Sequence, residues 1–86
     1  MSYRVKVHRE VEKFLRKIPK KDAERIKERI ISLKDPFAEK PIKVRGEENV
    51  FRIRVGKYRI LFFIDEEHKT VVVSKVDKRE RIYENL

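Results

Sequence analysis

The middle of the chain combines an alternating strand, a tight turn and a second apolar strand, which leaves few ways to fold it. Between Val50 and Val55 apolar residues alternate with arginine (VFRIRV). Successive side chains of a strand point to opposite faces, so the apolar members can enter a core while Arg52 and Arg54 project together from the other face. Gly56-Lys57 predicts a turn, and Tyr58–Ile64 (YRILFFI) predicts a strand that pairs back antiparallel.

This predicted hairpin brings Arg59 near Arg52 and Arg54, and no acidic residue lies among the three in the sequence. Like charges on adjacent strands destabilise a sheet, so the cluster makes physical sense mainly if it binds an anion, with a nucleic-acid backbone as the leading candidate. The rest of the predicted cluster consists of Lys43, Arg45, Arg79, Arg81 and Tyr83. Forked, charge-assisted hydrogen bonds from arginine suit a phosphate, and a tyrosine adds a stacking ring or an orienting hydroxyl.

Composition supports a polyanionic partner and excludes several other classes. The net charge is +9 and the pI is about 10. There is no cysteine, and His8 and His68 are far apart without a ligand-spaced partner, so we expect neither a metal site nor a cofactor. No apolar run approaches the roughly 20 residues that span a bilayer. We therefore expect a cytoplasmic protein that does not associate with a membrane. Charged residues make up 45% and glutamine is absent, a profile typical of thermophiles.

The flanking segments predict two helices and two further strands. Ser2–Val7 alternates like a strand, and Thr70–Val76 predicts the last strand of the sheet. Helical spacing predicts a first helix that ends before Pro19, with an apolar face of Val11, Phe14, Leu15 and Ile18. It predicts a second helix that starts near Asp22, with an apolar face of Ala23, Ile26, Ile30 and Leu33. Asp35–Pro41 is predicted to be a linker, and four phenylalanines are assigned to the core: Phe14, Phe51, Phe62 and Phe63.

The order β-α-α-β-β-β predicts an α+β fold, with an antiparallel sheet and both N-terminal helices packed on one face. The length of 86 residues favours a single domain spanning residues 1–86. The long apolar strand Tyr58–Ile64 should lie centrally, because its residues are apolar on both faces.

With these elements in place, the chain resembles the RelE family of toxins from bacterial and archaeal toxin–antitoxin pairs, over nearly its whole length. The motifs that carry the resemblance are Val44-Arg45-Gly46, Gly56–Arg59, and the basic Arg-x-Arg tail that ends in Tyr83. The first half of the chain matches the family only in its pattern of elements.

The resemblance implies a ribosome-dependent mRNA endonuclease that uses no metal and is silenced by an acidic RelB-like antitoxin. In that family a 2′-hydroxyl attacks the adjacent phosphate, which leaves a 2′,3′-cyclic phosphate and a 5′-hydroxyl. The catalytic positions fall on Arg52, Arg54, Arg59, Arg79 and Tyr83. RNA binding is assigned to the remaining basic residues near the cluster, namely Lys43, Arg45, Lys57 and Arg81.

Two departures from the family leave alternatives open. Well-studied members carry lysines at the positions of Arg52 and Arg54, and a guanidinium stays protonated and is a poor general base. One alternative is that no general base is present and catalysis rests on electrostatics. The other is that Lys43 or Lys57 takes the proton of the 2′-hydroxyl. In both cases we expect slow turnover. Tyr83 also lies closer to the tail arginine than in the best-known members. The first alternative is a ParE-like toxin, which shares the fold and acts on a topoisomerase. The presence of four residues argues against it, namely Arg45, Arg59, Arg79 and Tyr83. The second alternative is a non-catalytic basic RNA-binding module.

Overall fold

The computed structural model describes residues 2–78, in which two helices pack on a five-stranded sheet. The helices are α1 (Arg9–Arg16) and α2 (Lys20–Ser32), followed by a short 3₁₀ helix (Pro36–Glu39); the strands are β1 (Arg4–Val7), β2 (Ile42–Lys43), β3 (Val50–Val55), β4 (Tyr58–Asp65) and β5 (Thr70–Lys78). The strand order across the sheet is β1-β5-β4-β3-β2. The α+β class and the central place of β4 are therefore confirmed.

The sheet is mixed, which corrects the prediction of a wholly antiparallel sheet. β1 pairs parallel with β5, with Val5 opposite Val71, while the other pairs are antiparallel. A parallel pair needs a long crossover connection, and almost the whole chain lies between these two strands. Strand β2 was also missed, inside a segment with no alternating pattern, because its two residues are too few to show one.

The hydrophobic core lies between the two helices and one face of the sheet. Every residue predicted for the apolar face of α2 is buried: Ala23, Ile26, Ile30 and Leu33. The sheet contributes a large buried set, which includes Ile53, Val55, Tyr58, Ile60, Phe62, Ile64, Val71 and Val73. Phe62 is fully buried, whereas the neighbouring Phe63 is 39% exposed on the opposite face, so its assignment to the core was wrong. Period-two alternation permits only one of two adjacent strand residues to face the helices.

The two helix starts have different caps. His8 caps α1, since its Nδ1 accepts a hydrogen bond of 3.0 Å from the backbone nitrogen of Glu10. Helix α2 begins at Lys20, with Pro19 at the N-cap, two residues before the predicted start at Asp22. The carboxylate of Asp22 instead accepts a hydrogen bond from Tyr58. Neither helix in residues 2–78 is long and apolar enough to cross a membrane.

Candidate anion-binding site on the open sheet face

The face of the sheet that the helices leave uncovered carries the predicted arginines. Arg54 lies directly opposite Arg59 in the β3–β4 hairpin. The turn has Gly56 first with φ +60°, a left-handed conformation that glycine adopts without strain and that suits the first central position of a type II′ turn. The hairpin thus places two arginines side by side, as predicted.

Arg52 lies on the same face, two residues further from the turn. It pairs with Leu61 of β4 and with Ile42 of β2, so apolar residues flank its side chain on both neighbouring strands. The residue is half-buried, and its Nε is buried without a hydrogen-bond partner among residues 2–78. An unpaired buried donor is costly, so the surroundings of Arg52 are less favourable than those of Arg54, which is exposed.

Arg59 has an acidic partner, which corrects the expectation that no acid lies among the three arginines. Its Nε donates to Oδ1 of Asp77 at 2.9 Å, and its Nη2 donates to Oδ2 at 3.3 Å. Lys75 lies 3.8 Å from the same carboxylate. The sequence interpretation missed Asp77 because 18 residues separate it from Arg59, and only strand register brings them together.

A β-bulge in β5 places Asp77 on this face. The register shifts between Leu61 and Phe62 of β4, and the Ser74 hydroxyl donates to the Leu61 carbonyl oxygen at 3.3 Å. Val71 and Val73 face the core before the bulge and Val76 faces it afterwards. Without the extra residue, odd-numbered Asp77 would keep the phase of Val73 and point into the core. The change of apolar phase from Val73 to Val76 is the sequence signal that could have revealed the bulge.

The other predicted basic residues do not all join this face. Lys43 pairs with Phe51, and cross-strand partners share a face, so Lys43 lies on the helix side of the sheet edge and not beside Arg52. Arg45 is exposed in the β2–β3 loop, and Lys57 is exposed in the hairpin turn at the other end of β3. Arg79, Arg81 and Tyr83 lie outside the described residues.

Away from the arginines, the β4–β5 turn gathers titratable groups. The pKa of Asp65 lies below its ordinary value, chiefly because the His68 ring nitrogen hydrogen-bonds its carboxylate at 2.8 Å. Hydrogen bonding to Glu66 raises the pKa of Tyr3. Ligand atoms of Asp65, Glu67 and His68 all lie within 4.8 Å of one another, a proximity that the sequence interpretation missed. These groups lie in a largely exposed turn where acidic residues commonly cluster without a metal.

Comparison with known proteins assigns this chain to a class. A sequence profile described as the ParE toxin of type II toxin–antitoxin systems matches residues 5–83. A Methanocaldococcus jannaschii toxin sequence named RelE1 is 28% identical over 89 residues, which cover 99% of each chain. The structure also matches the archaeal RelE–RelB complex from Pyrococcus horikoshii, with a TM-score of 0.80 and 31% identity over 94% of this chain and 99% of that one.

A second solved structure, the toxin–antitoxin complex RelBE2 from Mycobacterium tuberculosis, matches with a TM-score of 0.79. It is 30% identical to this chain, and the match covers 92% of this chain and 100% of that one. These likenesses extend over the helices, the sheet and the arginine-bearing hairpin together. The chain therefore belongs to the RelE/ParE family of toxins from type II toxin–antitoxin systems, and within that family it is of the RelE type.

Proposed function

We propose that this toxin is a ribosome-dependent mRNA endonuclease. The observation that carries the proposal is Arg54 directly opposite Arg59 on the uncovered sheet face. The two cations repel each other, and the Asp77 carboxylate compensates the charge of Arg59 from one side of its guanidinium only. A phosphate between Arg54 and Arg59 would offset the remaining repulsion with charge-assisted hydrogen bonds. The backbone of an mRNA supplies such phosphates, and action on ribosomes would place the protein in the cytoplasm.

In the proposed reaction the nucleophile is the RNA itself. The 2′-hydroxyl oxygen bonds to the adjacent phosphorus and the bond from phosphorus to the 5′-oxygen breaks, which gives a 2′,3′-cyclic phosphate and a 5′-hydroxyl. The 2′-hydroxyl proton passes to water, and the departing 5′-oxygen takes a proton from water. Chemistry of this kind is catalysed mainly by positioning the reactants and stabilising charge.

The side chains then have distinct proposed roles. Arg54 and Arg59 would stabilise the charge that develops on the phosphoryl oxygens. Arg52 would add to the positive field, since its guanidinium stays protonated and does not act as a base. Arg79 would stabilise the departing oxygen and Tyr83 would orient the base or the phosphate.

Binding of the RNA on either side of this centre is assigned to more distant basic residues. Lys57 is exposed in the turn after β3 and Arg45 is exposed in the loop before β3, so they would contact phosphates upstream and downstream of the cut. Arg81 would contribute a further phosphate contact, and Lys43, on the helix side of the sheet edge, would contact only RNA that passes around that edge. Such contacts position the RNA without reading its sequence.

An antitoxin completes the proposal. The Pyrococcus horikoshii and Mycobacterium tuberculosis relatives were solved as complexes with their antitoxins. A chain with a net charge of +9 complements an acidic partner. We infer that a RelB-like acidic peptide binds this toxin and keeps the arginine face from RNA.

The decisive experiment uses purified ribosomes programmed with a short mRNA, and maps the cut by primer extension. We expect cleavage in the ribosomal A site, with an upstream product that ends in a 2′,3′-cyclic phosphate. A single 2′-deoxy nucleotide at the cut position should abolish cleavage there, because the nucleophile is missing. The matched control carries the 2′-deoxy nucleotide three positions away. Efficient cutting at the 2′-deoxy position would contradict the proposal.

One observation favours a second candidate, since the matching family profile is named for ParE. A ParE-like toxin would act on a DNA topoisomerase, so a supercoiling assay with purified gyrase separates the two activities. Inhibition of supercoiling without cleavage of mRNA on ribosomes would replace our proposal with this alternative.

The variant Arg59→Lys distinguishes the proposed enzyme from a non-catalytic RNA-binding module. This change keeps the charge and removes the forked geometry of the guanidinium. A binding module would lose little affinity and little effect on translation. The proposed enzyme should keep its ribosome affinity and lose most of its cleavage rate.

A further inference from the structure

We propose that Asp77 is a positioning residue that holds Arg59 by one side of its guanidinium and leaves the other side for the RNA phosphate. The inference rests on the proposed nuclease function and assigns a role to a residue outside the basic set. It starts from the ion pair that joins β4 to β5 on the open sheet face.

The geometry of the pair is a side-on fork. Nε of Arg59 donates to Oδ1 of Asp77 at 2.9 Å and Nη2 donates to Oδ2 at 3.3 Å. A guanidinium has five N–H groups, so three remain after this contact. Both N–H groups of Nη1 have no partner among residues 2–78. The end of the guanidinium defined by Nη1 and Nη2 can therefore make a second fork, and a phosphate fits that geometry.

The surroundings favour positioning over competition between Asp77 and the phosphate. The side chains of Arg59 and Asp77 are only 21% and 18% exposed, so the pair is partly shielded from water. Lys75 lies 3.8 Å from the carboxylate, and Arg54 lies opposite Arg59. These three cations outnumber the one anion, so an arriving phosphate still meets a positive field. An arginine that is held in advance loses less freedom when it binds its ligand.

The bulge gives an independent reason to regard this contact as a feature of the site. Asp77 faces Arg59 only because the register of β5 shifts opposite Leu61 and Phe62. Bulges frequently lie beside active sites, where they re-aim a side chain. Here the re-aimed side chain is the carboxylate that orients Arg59.

The first test measures cleavage on ribosomes with Asp77→Asn, which keeps the size of the side chain and removes its charge. We expect kcat to fall about tenfold, a part of the roughly 10²-fold that losing one charge-stabilising donor costs, with KM for ribosomes within about threefold. The matched control is Asp65→Asn at the far end of β4, where the carboxylate is hydrogen-bonded to the His68 ring, and it should leave kcat unchanged.

Coupling between the two residues separates positioning from a merely structural role. In an Arg59→Ala background, Asp77→Asn should cause no further loss of kcat, because the residue that it orients is gone. Independent, multiplying losses would overturn the inference, as would an increase in kcat for Asp77→Asn alone, since that would make Asp77 a competitor of the phosphate.

The second test is independent of cleavage and follows the ¹⁵N-labelled Nε–H group of Arg59 by NMR. The wild type should show a distinct, slowly exchanging signal that is lost in Asp77→Asn and persists when an RNA oligonucleotide with 2′-deoxy substitutions saturates the site. Loss of the wild-type signal on RNA binding would mean that phosphate displaces Asp77, and the inference would be wrong. If Arg59→Ala impairs cleavage and Asp77→Asn does not, this inference alone fails. Absence of wild-type cleavage on ribosomes would instead refute the nuclease proposal.

Discussion

The hydroxyl of Tyr58 donates a 2.8 Å hydrogen bond to Oδ2 of Asp22, which joins the first residue of β4 to the first turn of α2. Tyr58 is only 3% exposed, and its ring packs edge-on against Phe14 with 6.0 Å between centroids. The contact attaches the turn end of the β3–β4 hairpin to the helical layer. Arg54 and Arg59 flank this turn, so the contact anchors the part of the hairpin that carries them to helix α2.

Removal of the Tyr58 hydroxyl should destabilise the fold. We expect Tyr58→Phe to lower the free energy of unfolding by about 1–3 kcal/mol, the usual range for a hydrogen bond to a charged group whose partner is left in place. Urea denaturation at neutral pH measures this value. The matched control is Tyr3→Phe, whose hydroxyl bonds to Glu66 at an exposed site, and it should lower the free energy of unfolding by much less than Tyr58→Phe does. Equal costs for the two variants would contradict the importance of the Tyr58–Asp22 contact.

Adjacent phenylalanines on β4 should respond very differently to truncation. Phe62 is fully buried and stacks with Phe51 at 5.9 Å, whereas Phe63 is 39% exposed. Phe62→Ala should lower the free energy of unfolding by about 3–5 kcal/mol, because it leaves a cavity in the core. Phe63→Ala should cost less than about 1.5 kcal/mol. Thermal and urea unfolding measure both, and a reversed order would refute the assignment of the two faces.

RNA binding should depend steeply on salt, because each neutralised phosphate releases counterions. With single-stranded RNA, Arg54→Ala should flatten the slope of log K against log salt by about 0.7, the loss of one phosphate contact. Fluorescence anisotropy between low and physiological salt measures the slope. Arg9→Ala, which removes the same charge from α1 outside the sheet, is the control and should change the slope less. A wild-type slope near zero would argue against a polyanionic ligand.

Acid should weaken the contact between Asp65 and His68. The pKa of Asp65 is lowered mainly by its hydrogen bond with His68, so its stabilising contribution is present above the unfolded pKa of about 3.9 and is lost as pH falls through the lower folded pKa. NMR of the carboxyl carbon should give a titration midpoint below 3.9, and His68→Ala should move it part of the way back. The backbone amide of residue 68 retains its bond in that variant. Unchanged midpoints would contradict the cause assigned to the shift.

The sequence by itself determined the local features of the protein. Alternation in Val50–Val55 established which side of β3 carries Arg52 and Arg54, and Gly56 marked the turn that brings Arg59 back opposite Arg54. Helical spacing identified the buried face of α2. These features depend on residues close together in the chain, where the periods of helix and strand relate residue number directly to direction.

Only the tertiary structure decided the features that depend on which strands pair and in what register. The parallel pairing of β1 with β5, the exposure of Phe63 and the contact of Asp77 with Arg59 all follow from partners chosen across the sheet. The bulge beside Leu61 is the clearest case, because one extra residue reverses the face of every side chain after it. Strand pairing and register depend on the packing of the whole core. The local periods of the sequence therefore predict the positions of the arginines but not the contact of Asp77 with Arg59.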